Sequence, residues 1–293
     1  MKKKKWFKKR YIPLILLMII LGCNAAGLGD MASSEKEIIQ SFKEAGIKKY
    51  RTGFLGKDDQ KIFFAQATNL ASTDSVPVFI FSHGTPGALS NSMHYLLDST
   101  LLTKGIAVAY DRAGFGLSSH ADGVSNLNTQ VAGLKRLMDE YTGHKIYLIG
   151  HSYGAPIILQ TAMDYPEKVA GLVWLGGIVQ SAWKPHAWWR RPLNYPPIKW
   201  LIPASMVVSN KEIIHLEDDL NNIKNKWAEI TCPVIMIQGT KDWLAAPSNT
   251  TYADSMLVSS RFKESVIVPD ASHFFYFFKP QYVLDGIQKV MTH

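Results

Sequence analysis

One stretch of the chain decides the fold: Leu148-Ile149-Gly150-His151-Ser152-Tyr153-Gly154-Ala155. An apolar strand pattern runs into Gly-x-Ser-x-Gly, and a helix pattern follows it directly. A sharp strand-to-helix turn lifts a serine hydroxyl out of a sheet, and its flanking glycines permit the strained backbone. An ordinary glycine-rich turn is the alternative, but it does not require a strand before it and a helix after it. The sequence therefore predicts that Ser152 is a nucleophile.

Strand and helix patterns alternate on both sides of this turn. We predict strands at Tyr50–Leu55, Lys61–Ala67, Val76–Ser82, Ile106–Tyr110, Lys145–Ile149, Leu172–Leu175, Val234–Gln238 and Glu264–Val268. We predict helices at Glu35–Ala45, Asn126–Tyr141, Ala155–Tyr165, Thr250–Val258 and Gln281–Met291. Several strands are unbroken apolar runs, as in sheets that are buried on both faces. The fold class is therefore α/β, with a mostly parallel twisted sheet that begins antiparallel and is flanked by helices.

A serine nucleophile needs a base to take its proton, and the base needs an acid to orient it. Asp242 comes just after the apolar run Val234–Gln238, and His273 comes shortly after the run that ends at Val268. We therefore predict Asp242 as the orienting acid and His273 as the general base. Asp270, three residues before the histidine, is the alternative acid. Asp111 precedes the serine in the chain and is interpreted as part of a structural turn.

The negative charge that develops during acyl transfer requires two backbone N–H groups that already point at the carbonyl oxygen. The run Phe79–Ser82 opens into the glycine-rich loop His83-Gly84-Thr85-Pro86-Gly87. We predict that the oxyanion hole uses the N–H groups of Thr85 and Tyr153, with Gly84 as the alternative to Thr85. His83 is interpreted as a structural histidine that braces the loop. This chemistry requires no metal and no organic cofactor.

The segment from Gly176 to about Lys226 has no strand pattern, and it is rich in tryptophan and proline. A structureless loop of this length is uncommon inside a domain, so we predict an inserted helical cap over residues 176–226. Three of its tryptophans are candidates for substrate binding: Trp183, Trp188 and Trp189. Alternatively, they pack the cap onto the body or face a membrane. Glu217, Asp218 and Asp219 are expected to lead into a helix and to compensate its N-terminal dipole.

These motifs, taken with Asp111-Arg112-Ala113-Gly114-Phe115-Gly116, resemble the α/β-hydrolase superfamily and within it the His-Gly-x-Pro branch. The resemblance covers about residue 50 to the C-terminus. It implies the α/β-hydrolase fold with a Ser-Asp-His triad and a carboxylesterase-like activity on small or medium apolar esters. The alternatives are an aminopeptidase or amide hydrolase of the proline iminopeptidase type and a non-catalytic ligand-binding homologue. The serine at position 152 argues against epoxide hydrolases and dehalogenases, which carry an aspartate there.

The N-terminus has the pattern of a targeting segment. Residues 1–22 hold seven basic and no acidic side chains, so the net charge of +8 leaves about +1 for the remaining chain. A nucleic-acid partner is therefore not expected. The apolar run Ile12–Leu21 is shorter than the roughly 20 residues of a membrane-spanning helix, and the sequence before Cys23 resembles a bacterial lipobox. An uncleaved signal anchor with an incidental cysteine is the alternative.

The lipobox resemblance implies a domain plan and a location. Residues 1–22 would be a lipoprotein signal peptide, Cys23 the lipidated residue, 23–34 a tether, and 35–293 the hydrolase domain with its cap. The protein would then be an extracytoplasmic lipoprotein of a bacterial cell envelope, attached to the membrane through the lipid on Cys23. Cys232 would have no disulfide partner and is expected to be a buried structural thiol.

Overall fold

The computed structural model describes residues 32–57, 60–118, 125–180 and 190–293. Eight strands form one sheet in the order β1-β2-β4-β3-β5-β6-β7-β8. The β1–β2 and β2–β4 pairs are antiparallel and all later pairs are parallel, which confirms the predicted sheet. The strands are β1 (Lys49–Leu55), β2 (Ile62–Thr68), β3 (Val78–Ser82), β4 (Ile106–Tyr110), β5 (Ile146–His151), β6 (Val169–Leu175), β7 (Val234–Gly239) and β8 (Lys263–Val268).

The central strands are apolar throughout because helices cover both faces of the sheet. Every residue of β3, β4, β5 and β7 is buried. Successive residues of β3 point to opposite faces, so Val78 and Ile80 enter one core cluster while Phe79 and Phe81 enter the other. This double burial explains why these strands lack the polar–apolar alternation of a half-exposed sheet.

The helices divide between the two faces of the sheet. Residues of α4 and α5 pack in the first cluster, and residues of α1 and α9 pack in the second. Helix α1 begins with a capping box, in which Ser34 accepts from the N–H of Glu37 and Glu37 accepts from the N–H of Ser34. The helices are α1 (Glu35–Glu44), α2 (Met93–Leu96), α3 (Ser99–Leu102), α4 (Leu127–Asp139), α5 (Gly154–Asp164), α6 (Ala204–Ile223), α7 (Ser248–Met256), α8 (Phe275–Phe278) and α9 (Pro280–Thr292).

The strand order determines where a site can form. β3 precedes β4 in the chain but lies between β4 and β5, so the direction of winding reverses there. Open α/β sheets bind ligands at the carboxyl ends of strands next to such a reversal. In the register of β3 and β5, Ser82 pairs with Gly150. The loop after β3 and the turn after β5 therefore begin side by side.

The segment after β6 carries short 3-10 turns at Arg191–Asn194 and Ile198–Trp200 and then the 20-residue helix α6. Its described part, residues 190–226, contains no strand. The expectation that Glu217, Asp218 and Asp219 lead into a helix is wrong, because they lie in the second half of α6. Asp219 does meet a helix N-terminus, since its Oδ2 accepts from the N–H of Leu127, the first residue of α4, at 3.0 Å. Within the described ranges, no helix combines the length and apolar character needed to cross a bilayer.

Candidate active site

Ser152 lies on a sharp turn between β5 and α5. Its φ angle is +54°, a left-handed conformation that residues other than glycine rarely adopt. The turn is fixed by two backbone hydrogen bonds, from Ser152 N to Leu175 O at 2.9 Å and from Ala155 N to Ser152 O at 3.1 Å. At Gly154 a Cβ atom would lie 2.2 Å from the carbonyl oxygen of Ser82, so only glycine fits there. The strand, turn and helix predicted around Ser152 are therefore present. The serine has a strained backbone conformation, and the glycine at position 154 leaves no room for a side chain.

His273 and Asp242 are in direct contact. The Nδ1 atom of His273 lies 2.8 Å from Oδ2 of Asp242, and both side chains are buried. The other carboxylate oxygen, Oδ1, accepts from the N–H groups of Leu244 at 3.0 Å and Ala245 at 2.8 Å. Because a carboxylate only accepts, the N–H at Nδ1 of the imidazole must donate to it, which leaves Nε2 free to act as a base. The position of Asp242 directly after β7 makes this contact possible.

The alternative acid, Asp270, pairs with a lysine at the surface. Its side chain is 81% exposed and pairs with the Nζ of Lys241 at 2.9 Å. That ion pair lowers the pKa of Asp270. Asp111 is buried, and its two oxygens accept from the N–H groups of Leu89 at 2.7 Å and Leu117 at 2.8 Å. Burial raises the pKa of Asp111 to about 6. Its hydrogen bonds hold the loop after β4 in place, which is a structural role.

The loop after β3 packs against the serine. A Cβ at Gly84 would lie 3.0 Å from the Cβ of Ser152, and Thr85 lines the same cavity as Ser152 and Tyr153. His83 braces this loop because its Nε2 accepts from the N–H of Arg112 at 3.1 Å while its Nδ1 contacts the carbonyl oxygen of Gly84 at 2.8 Å. Burial, reinforced by the nearby guanidinium, lowers the pKa of His83 well below its usual value. The imidazole is therefore neutral, with its proton on Nδ1.

Two supporting residues were not predicted from the sequence. His151 contacts the backbone carbonyl oxygen of His273 through Nε2 at 3.1 Å, and burial lowers its pKa so that it stays neutral. Gln238, the penultimate residue of β7, donates from Nε2 to Oδ2 of Asp242 at 2.9 Å. The signal that could have identified Gln238 is a polar residue near the end of an otherwise apolar strand. No comparable signal marks His151, which occupies a variable position of Gly-x-Ser-x-Gly.

A cavity of about 490 Å³ opens above these groups and lies within the size range of small-molecule sites. Ser152, His273, Thr85 and Tyr153 all line it. Most of the other lining is apolar: Ile178, Met206, Ile213, Leu216, Leu244, Phe274, Tyr276 and Phe277. The cavity can therefore present an apolar group of a substrate to an activated serine.

Four further residues were predicted for substrate binding or lipidation. Trp183, Trp188 and Trp189, together with Cys23, are outside the described residues. Among residues 32–57, 60–118, 125–180 and 190–293, no three His, Cys, Asp or Glu side chains are grouped so as to hold a metal ion. Cys232 is buried, and burial raises the pKa of its thiol to about 12.

Solved structures share this architecture. A membrane phospholipase A, described as a bacterial virulence factor, is 17% identical with a TM-score of 0.66 over 98% of this chain and 100% of its own. A candidate lipase from Acinetobacter baumannii AYE is 17% identical with a TM-score of 0.65, over 89% of this chain and 97% of its own. A candidate aryl esterase from Burkholderia cenocepacia is 17% identical with a TM-score of 0.65, over 83% and 100%. At these identities the likeness shows the fold.

Comparison of the sequence with family models identifies the family. Comparison with curated proteins gives no match. The model of the alpha/beta hydrolase family matches residues 79–285, which run from β3 through the turn at Ser152 and the loop of His273 into α9. This range is more than half of the chain and contains every residue placed around the cavity above. The chain therefore belongs to the alpha/beta hydrolase family and is a hydrolase.

Proposed function

We propose that this hydrolase cleaves carboxylic esters through an acyl-enzyme on Ser152. The observation that carries the proposal is the buried contact between His273 Nδ1 and Asp242 Oδ2 beside a cavity that Ser152 also lines. It holds the imidazole in the tautomer that leaves Nε2 unprotonated. A serine hydroxyl is a weak nucleophile unless such a base receives its proton.

The reaction proceeds in two steps. Ser152 Oγ attacks the ester carbonyl carbon as its proton moves to Nε2 of His273, and the carbonyl electrons move onto oxygen. The N–H groups of Thr85 and Tyr153 stabilise that oxyanion. The tetrahedral intermediate then collapses, the C–O bond to the alcohol breaks, and His273 returns the proton to the leaving alkoxide. Water attacks the acyl-enzyme in the same way and releases the acid and free Ser152.

The cavity supports an apolar acyl group of small or medium size. Helix α6 contributes Met206, Ile213 and Leu216 to its wall, and Ile178 lies near them in the same lining. Burying each methylene of an acyl chain against such a wall contributes about 0.8 kcal/mol of binding free energy. The similar structures include a phospholipase A, a candidate lipase and a candidate aryl esterase, and these names agree with this assignment.

An aminopeptidase would need carboxylates in the cavity to hold the free amine of its substrate. Among the described residues, the cavity lining contains no Asp or Glu. Glu217 and Asp218 do not line it, and Asp219 accepts from the N–H of Leu127 instead. These observations favour an ester over an aminoacyl substrate.

Hydrolysis of p-nitrophenyl esters of increasing acyl length tests the proposal, with an aminoacyl arylamide as the comparison substrate. We expect turnover of the esters, highest for short to medium chains, and much slower release of the arylamine. Faster cleavage of the arylamide would favour the aminopeptidase alternative. No turnover of any ester by folded protein would favour a non-catalytic ligand-binding function.

We also propose that the enzyme works outside the cytoplasm as a lipoprotein of the His-Gly-x-Pro branch, anchored through Cys23. The proposal rests on the basic residues 1–10, the short apolar run and the lipobox-like sequence before Cys23. The domain plan of signal peptide 1–22, tether 23–34 and hydrolase domain 35–293 follows from it. Metabolic labelling with a fatty acid tests it, because Cys23→Ala should abolish incorporation and leave the unprocessed chain.

A further inference from the structure

A buried ion pair connects helix α6 to the body of the protein. The side chains of Arg112, just after β4, and Glu212, on α6, are both fully buried. Arg112 Nη2 donates to Glu212 Oε2 at 3.1 Å, and Nη1 donates to Oε1 in a second, shorter bond. Such a bidentate contact fixes the orientation of the guanidinium and the carboxylate as well as the distance between them. It joins residues that are 100 positions apart in the chain.

The same guanidinium also holds the loop beside Ser152. Its Nη2 donates to the carbonyl oxygen of Gly84 at 2.9 Å, and His83 Nδ1 donates to that oxygen at 2.8 Å. The Gly84 carbonyl belongs to the same peptide unit as the N–H of Thr85. A trans peptide is planar and its C=O and N–H point in opposite directions. Fixing the Gly84 oxygen against Arg112 therefore fixes the direction of the Thr85 N–H.

Neighbouring side chains add further contacts to the pair. Gln130 Nε2 donates to Glu212 Oε1 at 3.0 Å, and the Arg112 guanidinium lies over the rings of Phe115 at 4.5 Å and Tyr153 at 5.2 Å. A buried ion pair is a weak source of stability, because well-packed apolar residues of similar volume often serve as well or better. Stability alone is therefore a poor explanation for an ion pair at this position.

We propose that Arg112 and Glu212 are positioning residues that couple helix α6 to the oxyanion hole. Glu212 holds Arg112 against the Gly84 carbonyl, and together with the bond from His83 this contact keeps the Gly84–Thr85 peptide in its catalytic orientation. Met206 and Ile213 on the same helix line the cavity, so a substrate that contacts α6 also stabilises the oxyanion donor. This inference rests on the proposed function, because it assigns Thr85 N–H to the oxyanion.

Glu212→Gln tests the coupling in the full-length chain, because it preserves size while removing the charge. Losing an oxyanion donor outright costs about 10²–10³ in rate, so a misdirected donor should lower kcat for p-nitrophenyl acetate about 10- to 100-fold. KM should change little. Affinity for a trifluoromethyl ketone, whose adduct carries an oxyanion, should fall by a similar factor. Asp218→Asn, on the exposed side of the same helix, should leave all three quantities unchanged.

A second variant separates positioning from stability. Arg112→Met combined with Glu212→Leu replaces the ion pair by apolar groups and should fold, because neither charge is left unpaired. We expect it to keep a thermal midpoint near that of the wild type and to show the same loss of kcat. Wild-type kcat and ketone affinity in both variants would overturn the inference. Absence of Ser152-dependent hydrolysis in the wild type would instead refute the proposed function, on which the inference depends.

Discussion

The carboxylate of Asp242 meets the imidazole of His273 at 2.8 Å while its other oxygen accepts two backbone N–H groups. Because of these contacts, the side chain at position 242 determines which nitrogen of His273 carries the proton. In Asp242→Asn, the amide oxygen must stay with the two N–H donors, so the NH₂ group turns toward His273. The imidazole then has to accept at Nδ1 and carry its proton on Nε2, where it can no longer act as the base.

We therefore expect Asp242→Asn to lower kcat by about 10²–10⁴ without unfolding the protein. Asp270→Asn is the matched control, because Asp270 is exposed and pairs only with Lys241 in the contacts described here. The control should keep kcat within about twofold of the wild type, because exposed ion pairs contribute little. Steady-state kinetics on one ester would measure both, and a larger loss in Asp270→Asn would reassign the orienting acid.

Gly176 lies against the same pair of side chains. Its φ is +51°, and a Cβ there would be 3.0 Å from Asp242 Oδ2 and 3.4 Å from His273 Nδ1. Gly176→Ala should therefore displace the acid and the base, and we expect kcat to fall by roughly 10²-fold, as is typical of misplaced catalytic groups. Kinetics alongside circular dichroism would measure this loss in folded protein.

Gly143→Ala supplies the control for that experiment. Gly143 also has a positive φ, +90°, but a Cβ there would meet no atom within 4 Å. Both variants should lose about 1–2 kcal/mol of stability from the left-handed backbone. Only Gly176→Ala should lose activity, and equal kinetic losses in the two would mean that backbone strain, not contact with the acid–base pair, is responsible.

Two neighbouring isoleucines on α6 test the acyl site. Ile213 lines the cavity, whereas Ile214 is absent from its lining. Ile213→Trp should shorten the cavity and lower kcat/KM for octanoyl esters at least 10-fold relative to acetyl esters, since each excluded methylene forfeits about 0.8 kcal/mol. Ile214→Trp should preserve the chain-length profile. An unchanged profile in Ile213→Trp would place the acyl chain elsewhere in the cavity.

The thiol of Cys232 should be inert in the native state. It is 4% exposed, and burial raises its pKa to about 12, so little thiolate forms at neutral pH. In protein that begins at Asn24, Ellman's reagent should react with no thiol under native conditions and with one after denaturation. Rapid reaction of the native protein would contradict the buried position.

The sheet and the strand-to-helix turn at Ser152 could be predicted from the sequence because their signals are local. An apolar run of five or six residues next to a glycine-flanked serine indicates burial on both faces and a tight turn, and β5 with Ser152 has both. The acidic run at Glu217 was misinterpreted because charge alone does not mark a helix start. α6 begins earlier, at Ala204 after Pro203, without a side-chain cap.

The contact between Arg112 and Glu212 could not be predicted from the sequence, for a different reason. Each residue taken alone fits an exposed surface position, since charged side chains are seldom fully buried. Their pairing depends on how a helix in the inserted segment docks on the loop after β4. A contact between residues so far apart in the chain comes from tertiary packing and leaves no local pattern in either segment.

The most direct test of the account is labelling by a fluorophosphonate, which forms a covalent bond only with an activated serine. Wild-type protein should be labelled at Ser152 and Ser152→Ala should not be labelled at all. Ser209→Ala, which removes a second serine hydroxyl from the same cavity, should be labelled like the wild type. Loss of labelling in Ser152→Ala alone is the result the account predicts. Labelling that persists in folded Ser152→Ala, or is absent from the folded wild type, would contradict it.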